Sequence, residues 1–319
     1  MIFTPAAWER LRTVGSVRSL DDSTMRDDLI GALGDGDVDV LVTSWGAVPL
    51  DSRVLDHAPA LRLVAHSASS VKSFLTSDVF ARGIRVTQAG QAMAAPVAEV
   101  ALTFTLSLLH RVHRFDHALR RGDPWNEAQE APVRHELAAS RIGVVGASRT
   151  GVAYIRMLRA LGADVVVYDP FLSADAAREL GVRRMDLDPL LRGSQVVALH
   201  APSLPETRHM IGARELALMP DGAGLVNTAR SWLVDEAALL TELTSGRLDA
   251  ALDVFDDEPL PVDSPLRRLA NVLLTPHQAA GTIESRQRLG DIVVDEIERF
   301  AQGRPLEHEV DAAALTRMA

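Results

Sequence analysis

Three residues of this chain have the types that acid–base chemistry on an anionic substrate requires: Arg230, Glu258 and His277. An arginine holds a planar carboxylate through two parallel hydrogen bonds, a geometry lysine does not reproduce. An imidazole gives and takes protons near neutral pH, and a carboxylate beside it orients the ring and stabilises its charged form. Taken singly, each residue has a plain structural explanation. An arginine at a strand end makes surface ion pairs, a glutamate before Pro259 is solvated, and a histidine after Pro276 is a hydrogen-bonded loop residue. Their common feature is position, because each follows an apolar, strand-like run.

Those runs define the elements that must position the three side chains. From Arg141 onward, strand-like stretches occupy 142–145, 164–168, 195–199, 223–228, 248–253 and 271–274, with a shorter one at 182–184, and helical segments separate nearly every pair. Such alternation predicts an α/β fold with a doubly wound parallel sheet covered on both faces. The carboxyl ends of its strands fall at Asp169, His200-Ala201-Pro202, Thr228-Ala229-Arg230, Asp253 and Pro276-His277. Open sheets of this kind bind ligands along that edge.

The first run leads into Gly146, Ser148 and Gly151, at the positions of a G-x-G-x-x-G turn, and a helical pattern follows through Val152, Ile155, Leu158 and Leu161. Free amides and the positive end of the helix dipole at Arg149, Thr150 and Gly151 would hold a pyrophosphate. Asp169, about 18 residues after Gly151, stands where a carboxylate hydrogen-bonds ribose hydroxyls and repels a 2′-phosphate, which selects NAD over NADP. Ser148 departs from the pattern. Its Cβ stands where the backbone would approach the phosphates, although its hydroxyl can donate to one of them. An ordinary βαβ crossover with a glycine-rich turn is the alternative reading of this stretch alone.

Residues 1–95 predict a smaller α/β unit, with strands at Val38–Thr43, Leu61–His66 and Ile84–Thr87 and helices at Leu50–His57 and Ser73–Arg82. The polar loop from His66 to Lys72 reads as a helix N-cap, as a carboxylate-receiving turn, or as both. One long helix is expected from Pro96 to near Gly122. Its stripe of Val97, Ala101, Phe104, Leu108, Val112 and Phe115 points to burial between domains or subunits. A last helix, Ile283–Phe300, carries the chain back to the first domain, and the tail from Gly303 shows no pattern.

Composition narrows the classes. The chain has 319 residues, 47% of them hydrophobic, which suffices for two domains. It shows no uninterrupted run of about 18 apolar residues, and its first residues lack the order of a secretory signal, so neither a membrane span nor export is expected. No cysteine is present, which suits a cytoplasmic location and removes thiolate chemistry. A formal net charge of −10 speaks against nucleic acid as a partner. The ten histidines show no zinc-binding spacing, so no metal is expected.

Five segments together resemble the NAD-dependent D-isomer-specific 2-hydroxyacid dehydrogenases: VVGASRTG (144–151), LHAPSLPETRHMIG (199–212), NTARSWLVDEAAL (227–239), ALDVFDDEPLP (251–261) and TPHQAAGT (275–282). The likeness runs from about residue 38 to about residue 305 in the family's order. It implies a Rossmann NAD-binding domain at 95–285 and a smaller flavodoxin-like substrate domain at 1–94 and 286–319. It places the substrate clamp on Arg230, the catalytic acid on His277 and its partner on Glu258. Cofactor contacts then fall on His200, Ala201, Pro202, Thr207, Thr228 and Ala229, on Arg230 and His277 as well, and on Asp253 at the nicotinamide carboxamide. Ser69 and Ser70 correspond to the loop whose amides receive the substrate's carboxylate. The resemblance further implies a homodimer formed through the NAD-binding domain. It also implies a small 2-keto acid as the substrate, interconverted with a D-2-hydroxy acid. A non-enzymatic NAD-binding corepressor and a phosphoglycerate dehydrogenase are the alternatives on the same scaffold. Where the family has two glycines after the arginine, this chain has Ser231-Trp232, and Ser and Lys replace the Gly, Val and Asp usual around residues 67–73.

Overall fold

The computed structural model describes residues 2–20, 25–34, 36–130 and 132–315. Contacts divide the chain into two units, one running up to Met93 and resuming at Gly281, the other spanning Ala94–Ala280. The second crossing that the resemblance implies, at 286, lies within a helix over Ile283–Ala301.

In the first unit three parallel strands, β1 (Val40–Thr43), β2 (Leu63–His66) and β3 (Arg85–Gln88), pair in that order. The two-residue period of a strand sends Val64 and Val86 to one face and Leu63 and Ala65 to the other. The first pair packs with Leu50, Val54 and Leu55. The second packs with Ala7 and Leu11 of helix Pro5–Val14 and with Leu289, Val293 and Ile297 of helix Ile283–Ala301. The tail is not patternless after all. Val310 N donates to Val86 O at 2.8 Å and Gln88 N to His308 O at 3.2 Å, so the segment joins the free edge of β3. Buried Glu296 fixes it by accepting from the amides of Glu307 and His308.

The second unit is built on seven parallel strands: β4 (Arg141–Val145), β5 (Asp164–Tyr168), β6 (Arg183–Arg184), β7 (Val196–Leu199), β8 (Gly224–Asn227), β9 (Asp249–Leu252) and β10 (Val272–Leu274). Their spatial order is β10-β9-β8-β7-β4-β5-β6. The chain works outward from β4 in one direction, then returns beside it at β7 and works outward in the other. The crevice at the carboxyl ends of β4 and β7 is therefore the switch point at which such sheets bind ligands. Helices Ala94–His110 and Arg149–Ala160 cover one face through Phe104, Leu108, Tyr154 and Leu158. Helices Leu187–Gly193, Ala213–Leu218 and Glu236–Thr244 cover the other through Leu190, Leu216 and Leu239. The apolar stretch Gly90–His110 meets the length and composition of a bilayer span, and half of it is buried within the protein.

The single long helix expected from Pro96 to Gly122 is in fact two, Ala94–His110 and Val112–Arg121. Arg111 breaks it in the left-handed region, at φ 59°. The cause is a buried acid. Asp249, at the start of β9, accepts from Arg111 Nη1 at 2.7 Å, His113 Nε2 at 2.9 Å and Arg114 Nε at 3.0 Å. Burial alone would raise the Asp249 pKa. Hydrogen bonds from His113 and Arg114 and the charges of both arginines outweigh it, and the pKa falls to about 2. The break also turns Val112 out of the predicted apolar stripe, leaving it exposed.

Candidate active site

Strand β4 ends in a turn where two glycines are required by space. Gly146 has φ +99°, and a Cβ on it would lie 2.5 Å from the amide nitrogen of Ala201. A Cβ on Gly151 would lie 2.2 Å from the carbonyl oxygen of Gly146. No real Cβ tolerates either distance, so strand, helix and the loop after β7 can close together only with glycine at both positions. Ser148, the departure from the pattern, caps the helix over Arg149–Ala160, its Oγ accepting from Gly151 N at 3.3 Å. It therefore takes one of the amides read as pyrophosphate donors. Arg149 and Thr150 open the helix, and Arg149 forms no ion pair with a described residue. Asp169, just past β5, accepts from the amides of Ala147 and Phe171, each at 2.7 Å, which fixes its carboxylate beside the glycine turn.

Among the described residues, three buried side-chain polar atoms lack a hydrogen-bond partner: His200 Nε2, Ser203 Oγ and Thr228 Oγ1. All three stand past the carboxyl ends of β7 and β8. Orphaned buried polar atoms are rare, and a cluster of them calls for a ligand or water. His200 lies against Tyr154, with ring centroids 4.9 Å apart, and burial pushes its pKa down to about 3, so the ring is neutral. A glycine cradle, a fixed carboxylate at the neighbouring strand and unpaired polar atoms at the switch point together fit a dinucleotide. Ala201, Pro202 and Thr207 belong to the same loop, where Thr207 Oγ1 accepts from Leu204 N at 2.9 Å and reaches Pro202 O at 2.7 Å.

Strand β8 delivers Arg230 through a turn shaped by Asn227. That buried amide donates from Nδ2 to Arg230 O at 2.8 Å and accepts from Ala229 N at 3.0 Å. Arg230 Nη1 donates to Ala229 O at 2.7 Å. Burial lowers the Arg230 pKa while the Glu258 charge opposes the shift, so the guanidinium lies within the field of that carboxylate. His277 Nδ1 lies 2.7 Å from Glu258 Oε2, and the other oxygen, Oε1, accepts from Phe255 N at 3.0 Å. The imidazole is thus held by a carboxylate that is itself anchored.

Asp253 lies just past β9 and is 1% exposed. Its Oδ1 accepts from Thr275 Oγ1 at 2.5 Å and Gln278 N at 2.9 Å, and its Oδ2 from Ala279 N at 3.0 Å. These bonds bind the loop that carries His277, whose φ is +53°. The carboxylate expected on the nicotinamide amide thus spends most of its acceptor capacity on the protein. Sequence reading gave no role to Asn227 or Thr275. A polar side chain at a strand's last residue, able to bond its own turn, was the available signal for Asn227.

Ser69 and Ser70, in the first unit, follow β2. No helix starts there, since the next begins at Ser77 with Thr76 as N-cap, so the N-cap reading fails. The loop is instead fastened by Ala89 N, which donates to Ala68 O at 3.0 Å, and by Ser67 Oγ, which donates to Thr43 O at 3.0 Å. His66 is buried against Phe74, its Nδ1 2.9 Å from Thr43 Oγ1, and burial lowers its pKa to about 4.

Residues 102–279 match the profile of the D-isomer specific 2-hydroxyacid dehydrogenase NAD binding domain. The chain is 36% identical over 270 residues to a glyoxylate reductase of Korarchaeum cryptofilum, covering 84% of this chain and 81% of that protein. It is 33% identical over 303 residues to a D-3-phosphoglycerate dehydrogenase of Methanocaldococcus jannaschii, covering 94% of this chain and 56% of that one. The chain thus spans about half the length of the phosphoglycerate dehydrogenases it matches. The apo form of Rhodotorula graminis D-mandelate dehydrogenase superposes with a TM-score of 0.86 at 26% identity, over 97% of this chain and 94% of that one. With a glycine cradle, a fixed acid at the second strand and an imidazole–carboxylate pair on one sheet edge, the chain belongs to the D-isomer specific 2-hydroxyacid dehydrogenase family, and its central unit carries that family's NAD-binding domain.

Proposed function

We propose that this protein is an oxidoreductase interconverting a small 2-keto acid and its D-2-hydroxy acid with NAD(H). The observation that carries the reading is the 2.7 Å bond between His277 Nδ1 and Glu258 Oε2, on the same sheet edge as Arg230 and the glycine cradle. NADH, when bound, supplies the hydride. The turn of Gly146, Ser148, Arg149, Thr150 and Gly151 would hold its pyrophosphate, with the Gly151 amide already given to Ser148 Oγ, and Asp169 would hold its adenosine ribose. His200, Ala201, Pro202, Thr207, Thr228, Ala229 and Asp253 line its nicotinamide half. Arg230 binds the substrate's carboxylate and polarises its carbonyl. His277 delivers a proton from Nε2 to the developing alkoxide, and Glu258 stabilises the imidazolium from the opposite side of the ring. The amides of Ser69 and Ser70 receive the substrate's carboxylate within the unit proposed as the substrate domain.

A phosphorylated substrate finds less support. His66 and Lys72 are the cations beyond Arg230 that the sequence offers for a phosphate, and His66, with a pKa near 4, is neutral at pH 7. The reading also includes a homodimer formed through the NAD-binding unit. Its support is the group of exposed apolar residues Val112, Leu119, Trp125 and Val133 on the stretch that leads into β4. A cytoplasmic location is proposed with it, on the absence of cysteine.

The test is a screen of NADH oxidation over glyoxylate, hydroxypyruvate, pyruvate and bulkier 2-keto acids, with 3-phosphohydroxypyruvate beside them. Turnover of one or more simple keto acids is expected. Tight NADH binding with silence across the screen would overturn the reading in favour of a non-enzymatic binder.

A further inference from the structure

We propose that Trp232 is a positioning residue that holds the 202–208 loop in its cofactor-binding form, an inference that rests on the reading above. Trp232 stands two residues past Arg230 and is partly exposed, yet its ring is engaged by the loop beside it. Here the indole does two things at once. Its Nε1 donates to Leu204 O at 2.9 Å, and its face lies 5.3 Å from the Arg208 guanidinium carbon, within cation–π reach.

The ends of this loop are fixed by the backbone. His200 N donates to Val145 O at 2.7 Å on the near side. On the far side His209 N donates to Trp232 O at 2.9 Å and Ile211 N to Leu233 O at 3.0 Å. Between those ends the loop bonds to itself, through Thr207 with Leu204 and Pro202. Among the described residues, apart from the Met210 N bond to Thr207 O at 3.3 Å just past its far end, the Trp232 bond to Leu204 is the one hydrogen bond from the 202–208 stretch to another part of the unit. The indole therefore governs whether Pro202, Ser203 and Thr207 wait in place or must be ordered when the cofactor arrives. Ordering side chains and loops at the moment of binding subtracts from affinity, and holding them beforehand restores it.

The location explains why such a tie is useful in this chain. The loop starts beside Gly146, and the same cradle has surrendered the Gly151 amide to the Ser148 hydroxyl. A donor withdrawn from the pyrophosphate is offset by a loop that is held ready.

Trp232→Gly, Trp232→Phe and Arg208→Ala test this, with NADH affinity read by titrating the cofactor's own fluorescence. Trp232→Gly should raise the Kd for NADH about tenfold, the scale of ordering one loop side chain and its neighbours on binding. Trp232→Phe, which keeps the stacked ring and loses the donor, should fall between it and the parent. Arg208→Ala should add less to Trp232→Gly than to the parent. The KM for the keto acid, measured at saturating NADH, should stay within about twofold in all of them, a split that a general loss of packing does not produce. If the parent binds NADH and both Trp232 variants bind it within twofold of the parent, Trp232 does not position the loop. If the parent itself fails to bind NADH, the cofactor reading falls and this inference with it. Should Trp232→Gly not fold, Trp232→Phe decides between the same outcomes.

Discussion

Glu258 Oε2 bonds to Nδ1 of His277, so Nε2 is the ring nitrogen left to meet a reacting oxygen. Replacing His277 by alanine should lower kcat about 10²–10⁴-fold, the range for a lost acid–base group, with NADH affinity nearly unchanged. Glu258→Gln keeps a hydrogen bond to the ring and loses the charge that stabilises the imidazolium, so its kcat should lie between the two. Steady-state rates at saturating cofactor check both, and a His277→Ala enzyme as fast as the parent would remove His277 from the mechanism.

Arg230→Lys tests the clamp. Lysine retains the charge and loses the two-pronged geometry. The KM for the keto acid should rise about 10–100-fold, as for a lost charged hydrogen bond, while the Kd for NADH holds steady. An equal rise in both constants would mean that Arg230 shapes the whole edge and does not grip the substrate.

Asp253 gathers Thr275, Gln278 and Ala279 around the His277 loop. Asp253→Ala strands those donors, at about 1–3 kcal/mol for each one left buried and unpaired. It should also misplace the imidazole, and displacement by about 1 Å costs about 10²-fold in rate. Thermal unfolding and kcat should therefore fall together, and a stable Asp253→Ala with full activity would contradict the role.

His66 and His200 predict how stability depends on pH. Their folded pKa values, about 4 and about 3, lie below the ordinary imidazole value because burial disfavours the charged ring. The unfolded chain takes up protons near pH 6.5 that the folded rings refuse. Their contribution is complete above about pH 6.5 and drains away as pH falls toward 4, by about 1.4 kcal/mol per pH unit for each ring. Unfolding midpoints measured from pH 7.5 to 4.5 should decline over that window, and His66→Gln should flatten the decline.

The strands were legible because a parallel sheet covered on both faces needs continuous apolar runs, such as Val196–Leu199, buried throughout. The ends of those runs carry the polar residues, so the sheet edge on which Arg230, Glu258 and His277 lie is legible in the sequence. The break at Arg111 is not. Its cause is an acid far along the chain, and local helical periodicity carries no trace of Asp249. The helices Pro5–Val14 and Arg26–Leu33 carry too weak an apolar stripe to stand out in the sequence, although Thr4 followed by Pro5 is a sound start signal. Asn227 leaves only a faint mark in the sequence, a polar residue closing an apolar run, because residue type alone does not say that it bonds the backbone of Ala229 and Arg230.

Strand β9 is four residues long and is flanked by two buried acids of different duty: Asp249 at its first position grips the broken helix, and Asp253 just beyond its last grips the loop of His277. A strand rises about 3.3 Å per residue, so these two anchorages lie only about 13 Å apart on one stiff backbone. A residue inserted into or deleted from β9 would leave one of the two carboxylates out of register with its partners. Its length is therefore constrained from both ends, by the architecture on one side and by the acid–base residue on the other.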